Sequence, residues 1–333
     1  MTFSKWPVEG HVAVRDILTK VISGGRVPQA LLLAGPAGVG KFATALAIAR
    51  AVNCQAMREG IPCEGCRSCE RITGGQFSDV VVVSRGDLAS ISIKVVREKI
   101  LSVIGYRPFE GRRRVFIIDG ADDLTWEAQD SLLKTLEEPP PAAIIILVTS
   151  APDSLRATVL SRCRRLRFST LTDAEVAAVL VERFDMDAAS ARSRASVAGG
   201  SVSQALAIDG GSLEDDRDAA LGVLQAASGG AVAPKLKAAT AFVSHEKKRR
   251  SREAVGARLD HLAALLRDLT LAAEGCGGEA AAHPDLAEAL GSLARHWTPD
   301  RLLQAFASVA KARNALDRNA SPKIVADWVA VQL

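Results

Sequence analysis

An α/β module wound on a parallel sheet, followed by helices alone, is the fold class this sequence predicts, and three observations predict it. Short apolar runs at 30–34, 79–83, 115–119 and 144–149 alternate with helical stretches, the mark of parallel strands joined by crossover helices. A glycine-rich loop links the first run to an alanine-rich helix. After Leu171 no strand pattern recurs.

The elements follow in order. Residues 10–24 predict a helix, with Val14, Ile17, Leu18 and Val21 at helical spacing. Residues 30–34 form a buried strand between Pro28 and Gly35, and residues 41–52 the helix after the loop. Between 126 and 138, Ala128, Leu132, Leu133 and Leu136 share one helical face, and Pro139, Pro140 and Pro141 end it. Thr172 and Asp173 cap a further helix, and Gly199-Gly200 and Gly210-Gly211 punctuate short helical segments. Gly229-Gly230 and the stretch 274–282 read as connectors between later helices. The expected division is an α/β domain at 1–170 with an insert at 54–69, a helical lid at 171–210 and an all-α domain at 211–333. No solenoid-period repeat is evident.

A chain of 333 residues exceeds one ordinary core, which supports two or three domains. With 48% hydrophobic and 24% charged residues it belongs with globular rather than disordered or fibrous chains. Aromatics at 4% favour helices and buried parallel strands over an aromatic-rich sandwich. A net charge of +4 does not by itself announce a nucleic-acid binder. Arginines 156, 162, 164, 165 and 167 cluster, as do Lys247, Lys248, Arg249, Arg250 and Arg252; the second cluster reads as a solvated helix face rather than a phosphate patch. No secretory leader or membrane-length apolar run is visible, so a cytoplasmic protein is expected.

The loop Gly35-Pro-Ala-Gly38-Val-Gly40-Lys41 matches the phosphate cradle, in which glycines let backbone N–H groups turn inward and a lysine neutralises phosphate. Position 42 is Phe, where the motif uses a Ser or Thr hydroxyl to hold Mg²⁺. The strand ending at Asp119 supplies an acid for the same ion. Cys54, Cys63, Cys66 and Cys69 stand in a C-x8-C-x2-C-x2-C spacing that converges thiolates on one tetrahedral ion. Structural zinc is the expected occupant, and the alternative is four buried free thiols. Cys163 and Cys276 are given no metal role.

The segment 130–140 (DSLLKTLEEPP), residues 147–152 (LVTSAP) and Val159-Leu-Ser161-Arg162-Cys163 together resemble the AAA+ clamp-loader family of bacterial DNA polymerase III. The likeness extends from Trp6 to about residue 206, and more weakly, through residues 316–323, to the C-terminal part. It implies a RecA-like AAA+ module, a helical lid and a helical collar in a hetero-pentameric ring. It further implies partnership with gamma/tau and delta subunits, sliding clamp and primed DNA through the assembly, no membrane, and a place in a DNA-directed DNA polymerase (nucleotidyltransferase) holoenzyme. Thr149 falls at the phosphate-sensing position, and Gly35, Gly38, Gly40, Lys41 and Asp119 at the nucleotide site, where ATP or ADP would bind.

Three positions depart from hydrolysing members. Phe42 replaces the Mg²⁺ hydroxyl, Gly120 the water-orienting Glu, and Ser203 the lid arginine; Asp122 and Asp123 stand too far along the chain to substitute for the Glu. The pattern resembles a non-hydrolysing branch of that family, and the resemblance implies that Arg162 of the Ser-Arg-Cys triplet acts in trans on a neighbour's nucleotide. Two alternatives stay open at this stage. One is a hydrolysing ATPase of gamma/tau type; the other is a zinc-dependent nucleic-acid module, which the knuckle's scarcity of aromatic and basic residues disfavours.

Overall fold

A computed structural model describes residues 6, 10–86, 88, 90–208, 210–229, 231–243, 248–275, 281, 283–317 and 320–333. The chain forms two compact units, Met1–Glu175 and Val176–Leu333. Lys247, Cys276, Arg318, Asn319 and most of the connector 274–282 lie outside the described residues.

The first unit opens with α1 (Val12–Ser23), β1 (Ala30–Ala34) and α2 (Lys41–Asn53). After α3 (Arg67–Thr73) come β2 (Val80–Val83) and α4 (Ile93–Val96), which continues into a π-helical turn at Arg97–Leu101. Then follow β3 (Arg114–Asp119), α5 (Trp126–Glu137), β4 (Ala143–Thr149), α6 (Ala157–Leu160) and β5 (Arg164–Arg167). All strand pairs are parallel, in the order β2-β3-β4-β1-β5, as the alternating pattern predicts. Every residue of β1 and β4 is buried.

Because side chains alternate across a strand, the sheet sorts them into two layers. Leu31, Leu33, Val115, Ile117, Ile144 and Ile146 share one core with Leu18 of α1 and Ile48 of α2. Leu32, Phe116, Ile118, Ile145 and Leu147 share the other with Val96, Ile100, Leu132 and Leu136. Each such side chain contributes about 1.5–3 kcal/mol on burial, so the central strands hold the unit together.

Two buried polar side chains fix the loop that leads into β3. Asp79 is fully buried and accepts backbone N–H bonds from Phe109, Glu110 and Gly111, each at 2.8 Å, while Arg114 pairs with it at 3.3 Å. Burial alone would raise its carboxyl; the three N–H donors and the guanidinium outweigh that and hold it below the usual range. Asn53 accepts from Arg112 and Arg113 N–H at 2.8 and 2.9 Å.

Several expectations need correction. On α1 the buried residues are Val14, Leu18 and Ile22, whereas Ile17 is exposed. On α5, Gln129 is buried and Leu133 only half-buried, because Gln129 receives the Arg156 N–H at 2.9 Å and so satisfies its amide inside. Arg164, Arg165 and Arg167 form an edge strand, with Leu166 alone turned inward. Charged side chains on such an edge discourage pairing with another chain. Gly210-Gly211 opens a helix rather than separating two.

The second unit is helical throughout its described residues: α7 (Asp173–Phe184), which begins at the boundary, α8 (Ala188–Val197), α9 (Val202–Ala207), α10 (Gly210–Ser228), α11 (Val232–Ala241), α12 (Lys248–Ala273), α13 (Ala287–Ala294), α14 (Pro299–Asp317) and α15 (Pro322–Gln332). The segments expected as lid and collar share this unit. A capping box starts α7: Thr172 Oγ1 accepts from Glu175 N–H at 3.2 Å, and the Glu175 carboxylate accepts from Thr172 N–H at 2.8 Å. The long α12 packs against α8, α10, α13, α14 and α15 through Leu259, Leu262, Leu266 and Leu269. Arg252 of the second basic cluster donates to the Leu316 carbonyl in the last turn of α14 and to the Ala320 carbonyl after it, so it serves the fold there rather than a solvated face. No helix among the described residues is long and apolar enough to cross a membrane.

The core of this unit also buries a histidine pair. His283 Nδ1 and backbone N both lie on Asp268 Oδ2, at 2.8 and 3.0 Å. His261, 2% exposed, is pushed down to about 4 by burial, with the charges of His283 and Arg217 adding to it. A histidine neutral in the fold and protonated when unfolded stabilises fully above its ordinary value of 6.5, and that contribution fades as pH falls through 6.5 toward 4. Urea unfolding between pH 7.5 and 4.5 will show the wild-type chain losing up to roughly 3 kcal/mol more than His261→Gln. Parallel curves for the two proteins would contradict this.

Candidate functional site

The chemistry of the first unit begins at the carboxyl edge of its sheet. In the parallel register Ala34 pairs with Thr149, and Asp119 with Val148, so the loop after β1, the acid ending β3 and the threonine ending β4 arrive together. Gly38 and Gly40 take left-handed backbone conformations that turn the loop into the start of α2. At Gly35 a side chain is excluded by close approach: a Cβ there would lie 2.2 Å from the Phe168 carbonyl oxygen. His11 crosses from the other side, its Nε2 2.9 Å from the Val39 carbonyl and its ring edge-on to Phe168 at 4.7 Å. His11 and Phe168 escaped the sequence reading, since neither belongs to the loop motif.

Lys41 is buried, and its ammonium donates to the Gly35 carbonyl at 2.7 Å and to that of Pro36. Burial lowers its affinity for a proton, opposed by the Asp122 and Asp119 carboxylates. Asp119 is shifted upward, by burial first, against the attraction of Lys41. The cation needed for a phosphate is therefore present and held by its own loop. Phe42 lies half-buried against the α2-side core and offers no oxygen to a metal ion. Thr149 is buried, and its hydroxyl accepts from Ala151 N–H at 3.1 Å.

Gly120 stands where a water-orienting acid is expected, with φ at 78°. A Cβ there would meet Asp123 Oδ2 at 2.8 Å. The neighbouring acids are engaged elsewhere: Asp122 accepts from Ser150 N–H and hydroxyl at 3.3 and 3.2 Å, and Asp123 pairs with Arg85 at 3.4 Å. No carboxylate is thus supplied at position 120, and the backbone there disfavours adding one. Ser203 lies exposed on α9 of the second unit.

The four cysteines come together although fifteen positions separate the first from the last. Cys54 ends α2, Cys63 N–H donates to Cys54 Sγ at 3.3 Å, Cys66 caps α3 and Cys69 lies in its first turn. Glu64, at φ 58°, and a Gly65 N–H bond to the Cys63 carbonyl shape the turn between. All four sulfurs lie within 4.8 Å of one another. Burial raises the Cys66 thiol, but N–H groups of Cys69 and Gln55 and its sulfur neighbours outweigh it and pull it down to about 6. Burial pushes Cys54 and Cys69 up. Four convergent thiols in one partly buried pocket fit a tetrahedral soft metal, with no position left for a reacting water. Cys163 stands apart as a buried thiol pushed up to about 11 by desolvation.

Arg162 follows α6 at the opposite end of the sheet from the loop. β5 begins beside Leu31, so about four strand residues, roughly 13 Å, lie between its start and the loop. Its guanidinium binds Glu137 of α5 through Nε at 2.8 Å and through Nη2, and the Thr158 carbonyl through Nη1 at 2.9 Å. Arg156 instead pairs with Asp130 at 2.7 Å and lies over the Trp126 ring. Glu137 was not legible as a partner from sequence; the one available signal is an acid in the last turn of a helix, where the dipole favours cations.

Residues 10–172 match the family model described as DNA polymerase III, delta subunit, and residues 237–324 the model for that subunit's C-terminal part. The chain belongs to the DNA polymerase III clamp-loader family. Among clamp-loader relatives, the delta-prime subunit of DNA polymerase III from Bacillus subtilis is 34% identical over 51% of this chain and 51% of its own length. The tau subunit from the same organism is 32% identical over 60% of this chain and 36% of its own length. The chain therefore spans about half or less of each. A solved DNA polymerase III gamma subunit-related protein from Thermotoga maritima is 15% identical, covering 90% of this chain and 99% of that one with a TM-score of 0.38.

Restoring an acid to the family's water-orienting position is expected to strain this chain. Gly120→Glu should lose roughly 1–2 kcal/mol in urea unfolding, from the left-handed backbone and the crowding of Asp123. Unchanged stability would show that the turn adapts freely.

Proposed function

We propose that this chain is a delta-prime-type clamp-loader subunit: a stator that does not itself hydrolyse ATP. It would assemble with gamma/tau and delta subunits in a hetero-pentameric ring that loads the sliding clamp onto primed DNA. The observation that carries this reading is Gly120, held left-handed with Asp123 in the space a side chain would need. A residue without a side chain provides no base or water-orienting group. Phe42 and Ser203 point the same way. Identity alone does not separate the branches, since delta-prime and tau relatives stand at 34% and 32%.

In this reading Gly35, Gly38, Gly40, Lys41, Asp119 and Thr149 are the remains of a nucleotide site, whose loop amides and lysine would hold ATP or ADP without turnover. Arg162 would be the catalytic contribution, given in trans to a neighbour's γ-phosphate, where a planar cation offsets developing charge. Its place away from the chain's own loop supports a role on another subunit. Helices of the proposed lid (171–210) and collar (211–333) would supply the ring contacts. Cys54, Cys63, Cys66 and Cys69 would hold one structural Zn²⁺ that closes the knuckle between α2 and α3.

Reconstitution with gamma/tau and delta subunits tests the function. The isolated chain should show no ATPase activity, and Arg162→Ala should leave assembly intact while lowering DNA-stimulated hydrolysis and clamp loading. An arginine finger is worth about 10³ to 10⁵ at its own site, and a ring with several sites should lose less in total. Arg162→Lys should not rescue, and Arg165→Ala should do much less. Steady-state hydrolysis by the chain alone, abolished in Lys41→Ala, would make it an ATPase of gamma/tau type; equal effects of Arg162→Ala and Arg165→Ala would reduce the arginines to a basic surface.

Metal content tests the knuckle independently. One zinc per chain is expected, with Cys66→Ser losing the metal and loosening residues 54–69 to proteolysis. A folded, metal-free protein with a protected knuckle would refute the site.

A further inference from the structure

The surroundings of Arg162 constrain it closely. Its backbone is fixed: Ser161 N–H bonds to the Ala157 carbonyl at 2.9 Å and Arg162 N–H to that of Val159 at 3.2 Å. Val159 and Cys163, on either side, are buried. Only the side chain is left to move. A guanidinium has five N–H donors and no acceptor. Here Nε and one Nη2 donor go to Glu137 Oε1, and the Nη1 donors go to the Thr158 carbonyl at 2.9 Å and Ser161 Oγ at 3.2 Å. One donor remains, and the positive charge is answered by a carboxylate of the same chain.

Glu137 is oddly placed for anything else. It occupies the last turn of α5, with Glu138 beside it, where unpaired carbonyls already make the helix end negative. An acid there works against the helix and gains from Arg162 what it loses to the dipole. The pair is also within a neighbour's reach, the arginine side chain being 32% and the glutamate 48% exposed. Such an exposed pair is weak and exchangeable.

We propose that Glu137 is a latch that occupies and neutralises Arg162 until a polyanionic group on a neighbouring subunit, the terminal phosphates of its bound nucleotide, displaces the carboxylate. The proposal rests on the reading of Arg162 as a trans-acting finger. A phosphate carries more charge than one carboxylate and takes the same bidentate fork, so exchange needs no backbone movement. With the latch closed, a neighbour's site lacks its cation and hydrolysis stays slow. With it open, the fork is free to turn outward.

The test is steady-state ATP hydrolysis by the reconstituted ring without DNA, comparing wild type, Glu137→Gln, Arg162→Ala and the double variant. Glutamine keeps the shape and removes the charge. Glu137→Gln should raise the DNA-independent kcat about two- to five-fold, the range an exposed ion pair spans, with KM for ATP unchanged. The double variant should match Arg162→Ala, since without the arginine there is nothing to latch. The thermal midpoint of Glu137→Gln should hold or rise as the charge leaves the helix end, which separates release from unfolding. If Glu137→Gln lowers hydrolysis as Arg162→Ala does, Glu137 positions the finger and the latch is wrong. Unchanged hydrolysis in Glu137→Gln, with Arg162→Ala impaired, would equally overturn it. If Arg162→Ala itself has no effect, the finger reading fails and the latch falls with it.

Discussion

The parallel pairing of β1 with β4 and of β4 with β3 governs the first unit. Once Ala30 lies against Ile145 and Arg114 against Ala143, each chain exit is set, and Gly35, Asp119 and Thr149 follow at one edge. The interior of these strands is apolar on both faces, so polar groups are admitted only where a strand ends. Catalytic residues at strand ends can therefore be lost without disturbing what holds the sheet. Phe42, at the start of α2, and Gly120, directly after β3, are positions of this kind. Both lie just beyond the sheet, and the core layers close beneath them.

The same edge also holds two charged groups. Lys41 and Asp119 are charged groups in a partly desolvated place, the lysine shifted down and the aspartate up, each mainly by burial. Such charges are costly unless they are paired or hydrogen-bonded. Lys41 escapes the cost by donating to the Gly35 and Pro36 carbonyls, which the tight loop leaves without strand partners. The lysine thus ties the loop to itself, and that structural bond gives it a reason to persist whether or not a nucleotide is turned over. At Gly120 the logic runs the other way. The left-handed turn strains any side chain placed at position 120, and an acid there would also have to displace the Asp123 carboxylate from the bare Cα.

How much of this was legible in the sequence depends on how far each signal reaches. β1 and the phosphate loop are local patterns, and the strand ends at the residues the pattern gives. The cysteine knuckle is legible for the same reason, because its spacing brings the thiols together without help from distant elements. β5 was hidden: its four residues include three arginines, and only its pairing with β1 makes it a strand. On α1 the choice of Ile22 over Ile17 is made by the neighbouring layer, since both satisfy helical spacing. Asp79 reads as the polar start of an apolar run, yet it organises residues 109–114, some thirty positions away. Glu137 and Arg162, 25 positions apart, belong to separate motifs that only the fold joins.

The two ends of the sheet also divide the chemistry. The nucleotide loop follows the carboxyl end of β1, whereas Arg162 precedes the amino end of β5, and parallel pairing of these strands keeps them apart. A single chain so built cannot turn its arginine onto its own loop, because the rigid strands between them offer no hinge. The loop and the arginine are therefore free to diverge. A change at one edge, such as Phe or Gly in place of a metal-binding hydroxyl or an acid, places no demand on the other. Arg162, its N–H bonded to the Val159 carbonyl and flanked by buried Cys163, belongs to the end that faces away from the chain's own loop. In the ring proposed above, that end would meet a neighbour rather than the chain's own loop, and this geometric separation is what would let one subunit forgo turnover while contributing a cation to it.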